Sequence, residues 1–86
     1  MTPVIEEGIV HAINPRNGRI AVLTDQGYTV MDLIDGDALP KHRLAGPLQE
    51  HGPAYLLNHT TGEPVEAVIE AVHASRSSAS ALVWNT

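Results

Sequence analysis

Gly8-Ile9-Val10-His11-Ala12-Ile13-Asn14-Pro15-Arg16-Asn17-Gly18, running on into Arg19-Ile20-Ala21-Val22, is the stretch whose reading decides the fold. β-branched residues precede Asn14-Pro15-Arg16-Asn17-Gly18, a cluster whose backbones favour turns and, at Gly18, a positive φ. The chain therefore reverses there, with residues 4 to 14 as one strand and Arg19 to Thr24 as its antiparallel return. Asp25-Gln26-Gly27 reads as a second tight turn and Tyr28 to Ile34 as a third strand. Period-2 alternation turns Val10, Ile20, Val22, Thr29 and Met31 toward the interior.

Outward from this meander, Asp35-Gly36-Asp37-Ala38-Leu39-Pro40 breaks the strand pattern and predicts a crossing loop. Arg43 to Glu50 and Ala54 to His59 read as two short strands around His51-Gly52-Pro53, followed by a turn at Thr60-Thr61-Gly62-Glu63-Pro64. Val65 to His73 carries two patterns. Val65, Val68, Ile69 and Val72 fit a helical stripe, whereas the β-branched content and the preceding hairpin-type turn fit a strand, which is preferred. A short helix capped by Ser75 follows, with Ala79, Leu82 and Val83 inward. The apolar cluster of Ala79, Leu82, Val83 and Trp84 predicts a C-terminal segment folded onto the barrel, with Leu82 and Trp84 buried.

The spacing G-x-V-x-x-x-N-x-x-x-G, carried by Gly8, Val10, Asn14 and Gly18 together with the apolar Val22, resembles the opening of cold-shock domains. Tyr28-Thr29-Val30-Met31-Asp32-Leu33 stands in the place of that family's second ribonucleoprotein motif. The resemblance implies an OB-like barrel, so the fold expectation is mainly β: a small five- to six-stranded antiparallel barrel with a short C-terminal helix. An SH3-like barrel with the same strand count is the competing topology. One OB-like domain spans 1–86, with the barrel at about 4–73 and the appendage at about 75–86.

In that family single-stranded RNA or DNA stacks on outward aromatics of the first three strands, each contact contributing ~1 to 3 kcal/mol. The corresponding residues here are Ala12, Ile13, Arg19, Ala21, Val30 and Asp32, none of them aromatic. The chain has no phenylalanine and only two tyrosines and one tryptophan. Ten acidic residues against five Lys plus Arg give a formal charge of −5, the opposite of a phosphate-neutralising surface.

These features predict a non-enzymatic module that binds another protein or another copy of itself, through a face formed by Ala12, Arg19, Ala21, Tyr28 and Val30. The alternative is weak single-stranded nucleic-acid binding, with Arg16, Arg19, Lys41 and Arg43 as phosphate contacts. Trp84 reads either as a tether for the C-terminal segment or as an exposed anchor for a partner.

No catalytic residue, metal ligand set or cofactor is expected. Cysteine is absent, which excludes disulfides and thiolate chemistry. The five histidines, His11, His42, His51, His59 and His73, never fall at i, i+2 or i, i+4, the spacings that gather ligands on one element. Asp35 and Asp37 lack the further oxygen ligands of a calcium loop, and the serines from Ser75 to Ser80 suit capping rather than nucleophilic attack. No basic-then-apolar leader and no apolar run near the ~20 residues of a membrane span are present, so a cytoplasmic protein without membrane contact is expected.

Overall fold

The structure is a computed structural model and describes residues 5–85. Six strands, β1 (Glu6–Asn14), β2 (Arg19–Thr24), β3 (Gly27–Asp35), β4 (Arg43–Gly46), β5 (Gly52–Asn58) and β6 (Glu63–Ala74), precede one helix, α1 (Arg76–Trp84). They close into a barrel in the order β1-β2-β3-β6-β5-β4, with every neighbouring pair antiparallel. Among the described residues every strand has a neighbour on both sides, which leaves little sheet edge to template pairing with another chain.

The meander of β1, β2 and β3 follows the sequence reading. Gly18, at φ 73°, closes the first turn by donating its N–H to the Asn14 carbonyl at 2.9 Å. In the second turn the Thr24 hydroxyl donates to the Gly27 carbonyl at 2.8 Å and accepts from the Gln26 N–H at 3.1 Å. Val10 lies opposite Val22 and Ile20 opposite Met31, and all four are buried in the barrel with Leu44, Leu56, Val65, Ala67 and Ile69. Gly8 belongs here for want of space: a Cβ would stand 2.6 Å from Val22 Cγ1 and 2.9 Å from the Leu23 carbonyl oxygen.

The crossing loop after β3 returns beside β1, where Lys41 N–H donates to the Val10 carbonyl at 2.8 Å and Val10 N–H to the His42 carbonyl at 2.9 Å. β4 is shorter than the sequence suggested, ending at Gly46, because Pro47 has no N–H to extend the ladder and the chain turns inward to seat Leu48 in the barrel. The carbonyl of Leu48 accepts from the buried Thr29 hydroxyl at 2.9 Å. β5 begins two residues earlier than expected, at Gly52.

Val65 to His73 is strand throughout, with Val65, Ala67 and Ile69 alternating inward. The β5–β6 turn is held by buried Asn58. Its Oδ1 accepts from Thr60 and Thr61 N–H at 3.0 and 3.2 Å, while its Nδ2 donates to the Asp37 carbonyl at 3.1 Å and reaches His42 Nδ1 at 3.0 Å.

α1 starts as expected, the Ser75 hydroxyl accepting from Ser78 N–H at 3.1 Å. The helix lies against β1, β2, β3 and β6. Ala79 and Val83, one helical turn apart, are the residues it buries. The expectation that Leu82 and Trp84 would be buried is corrected: they are 37% and 52% exposed. Each is about 100° around the helix from Val83, to either side of the contact stripe.

Candidate interaction surface between helix and sheet

The floor of this surface is the outer side of β1, β2 and β3. Ala21 on β2 and Val30 on β3 are cross-strand partners, and with Ala79 and Val83 of α1 they form a second apolar cluster outside the barrel. The sequence reading took Ala12, Arg19, Ala21, Tyr28 and Val30 as an open face. The structure instead leaves Ala21 only 2% and Val30 0% exposed, because α1 covers them. Small size at position 21 is what admits the helix: an aromatic ring there would occupy the space of Val83.

The last turn of α1 is tied down by side chains from the meander. Asn14 Nδ2 donates to the Val83 carbonyl at 3.0 Å, and the Arg19 guanidinium reaches the Leu82 carbonyl at 3.3 Å. Both satisfy carbonyls that a helix end leaves without intrahelical partners, and Arg19 adds a positive charge at the negative end of the dipole. Arg19 is itself fixed by a bidentate pair with Asp32, Nε to Oδ1 at 2.7 Å and an Nη to Oδ2 at 3.1 Å, which raises its pKa above the ordinary arginine value. Burial under the helix edge works in the opposite direction.

Ala12 and Tyr28 are half-buried at the edge of this roof. A bulge in β1 inserts His11 between Val10, opposite Val22, and Ala12, opposite Ala21. His11 and Ala12 therefore both turn outward, and the His11 ring meets Tyr28 edge-on, centroids 5.4 Å apart. Together with Arg76 and Trp84 of α1 these residues enclose a crevice of about 130 Å³ between helix and sheet. Such a volume is close to that of cavities which accept a single aromatic ring.

Two of the chain's three aromatic side chains thus converge on one small crevice, beside an imidazole and a guanidinium. Among the described residues, Arg76 forms no ion pair. It stands in the first turn of α1, where no acidic residue offsets the positive end of the dipole. Next to the crevice, Ile9 and Leu23 are cross-strand partners, 45% and 44% exposed, and Leu23 is in turn paired with Tyr28.

Of the four basic residues named as phosphate contacts, two are committed to ion pairs. Arg19 is engaged with Asp32, and Arg43 pairs with Glu7 at 3.3 Å. Arg43 stands opposite Ile9 and Arg19 opposite Asn14, a separation along β1 of roughly 15 Å. Arg16 lies in the first turn and Lys41 in the crossing loop, and neither forms an ion pair among the described residues.

The Glu7 carboxyl is held below its ordinary value by a hydrogen bond with His59 at 2.7 Å, with attraction from His59 and Arg43 adding and partial desolvation opposing. Among the described residues no group of three or more His, Asp or Glu is placed to hold a metal ion, and no helix is long and apolar enough to cross a membrane. His11 and Arg76 were not singled out for this site from sequence; the bulge that turns Ala12 outward beside His11 leaves no mark in the local pattern.

Compared with known proteins, the chain matches no family model, no curated protein and no solved structure.

Proposed function

We propose that this small barrel is a non-enzymatic interaction module that holds a protein partner at the crevice between α1 and the sheet. The observation that carries this reading is the convergence of Tyr28, Trp84, His11 and Arg76 on an enclosed space flanked by exposed Ile9 and Leu23. Aromatic and arginine side chains around a ring-sized pocket are the usual composition of an interface hot spot. Barrel closure supports docking through side chains rather than by strand addition.

The kinship with cold-shock domains is part of the proposal for the meander alone, where Gly8, Asn14 and Gly18 serve packing and turn. Single-stranded nucleic-acid binding is the less favoured function. The sheet face that would stack bases is occupied by α1, Arg19 is committed to Asp32, and the net charge is −5.

The test is selection of displayed peptides on the intact protein. Enriched peptides should lose binding to Trp84→Ala and to Arg76→Glu, while labelled single-stranded oligonucleotides should bind no tighter than about 10 μM at ~150 mM salt. Peptide binding indifferent to both substitutions refutes the site. Tight, salt-sensitive oligonucleotide binding replaces the reading with its alternative.

A further inference from the structure

The crevice has a complement on the far side of the same barrel. Tyr55, at 77%, is the most exposed large apolar side chain among the described residues, and it projects from β5 directly opposite Glu66 on β6. Pro53 and Leu57 flank it at the i−2 and i+2 positions on the same outer face, both exposed, and Leu57 pairs with the exposed Pro64. Tyr55 is therefore a single planar ring on an apolar mount with one carboxylate beside it. The crevice is a space for a single ring with one guanidinium beside it.

In the strand order β1-β2-β3-β6-β5-β4, β5 is three strands from β2 in either direction, so the knob and the crevice lie on opposite sides of the barrel. A self-contact between them cannot close as a two-fold dimer. It is heterologous, head to tail, and propagates into a chain or closes as a ring.

Resting on the interaction reading above, we propose that the partner is a second copy of this protein. Tyr55 of one molecule enters the crevice of the next, where His11, Tyr28 and Trp84 surround the ring and Arg76 pairs with the incoming Glu66. Charge complementarity favours this occupant over a generic hydrophobic one. The molecule is acidic overall, Arg76 has no ion-pair partner of its own among the described residues, and the only carboxylate paired with Tyr55 is Glu66. Strand closure leaves little edge for β-addition as a competing route to assembly.

Sedimentation velocity on the intact protein across roughly 10 to 1,000 μM is the measurement, the range suited to a contact at the small end of interface sizes. The weight-average sedimentation coefficient of the wild type should rise steadily with concentration and pass that of a dimer. Tyr55→Ala and Arg76→Glu should each weaken association at least about tenfold. Both positions are exposed, and retention of the wild-type melting transition establishes that each variant is folded.

The decisive arm is mixing. Tyr55→Ala keeps an intact crevice and Arg76→Glu keeps an intact knob, so the two variants, each monomeric alone, should combine into a one-to-one dimer and nothing larger. Glu66→Arg combined with Arg76→Glu should restore assembly that either change alone removes. A wild type that stays monomeric throughout, variants that assemble like the wild type, or variants that fail to complement overturn the proposal. Failure of self-association remains separable from failure of the interaction reading, which falls if peptide selection ignores Trp84 and Arg76 or if oligonucleotides bind tightly.

Discussion

Val83→Ala is the sharpest probe of how the helix is held. Val83 is 0% exposed and packs against Ala21, Val30 and Ala79. The substitution removes two methyl groups, each contributing about 0.8 kcal/mol in transfer, and the surrounding side chains relax only partly into the space left. The expected loss is about 2 kcal/mol, which for a domain of this size lowers the thermal midpoint by roughly 8 to 16 °C.

Trp84, the only tryptophan, sits next to Val83 on α1 and reports the helix by fluorescence, while circular dichroism reports the strands. If α1 belongs to the same cooperative unit as the barrel, both probes melt together in the wild type and shift together in the variant. A Val83→Ala protein that melts at the wild-type midpoint by both probes refutes the packing argument. A fluorescence transition that moves alone shows instead that the helix undocks before the barrel unfolds.

Three further outcomes follow from the same geometry. Arg19→Ala should cost about 1 kcal/mol in chemical denaturation, with Arg19→Lys recovering only part of it, because lysine cannot reproduce the bidentate pair with Asp32. Asn58→Ala should cost about 3 kcal/mol or more, since it strands the Asp37 carbonyl and the Thr60 and Thr61 N–H groups at the β5–β6 turn. Glu7, whose folded carboxyl sits below the ordinary value of 4.5, contributes stability that is present above that pH and lost as pH falls through the folded value. Glu7→Gln should therefore flatten the acid limb of a pH–stability curve, and an unchanged limb refutes that role.

The barrel was legible because its signals are local. Asn17-Gly18 and Gln26-Gly27 set the hairpins, and alternation at Val10, Ile20, Val22 and Met31 set the inward face. Val65 to His73 is the strand that its β-branched content favoured, and the competing helical stripe arose because Val68 and Val72, on either side of inward Ile69, are also branched and apolar.

The outer face of the meander reads from sequence as open, and the structure buries Ala21 and Val30 on it. Ala12, Arg19, Ala21, Tyr28 and Val30 do lie on one face, yet no pattern within residues 8–33 says that Ala79 and Val83, some fifty residues later, cover half of it. The i, i+4 pair Ala79 and Val83 was present in the sequence, and so were the small side chains at 12 and 21 that make room for it. Only the tertiary register joins them, as it joins Asn14 to the Val83 carbonyl and Tyr55 to Glu66.

The crevice exists only because α1 roofs the sheet and leaves a ring-sized space at its edge. Nuclear Overhauser contacts between side chains test this most directly in the intact protein. Strong contacts from the Val83 methyls to Ala21 and Val30, together with contacts from the Tyr28 ring to His11, are predicted. Their absence in a protein whose β1–β2–β3 backbone contacts are intact would contradict the account, because the face would then be open and the crevice would not exist.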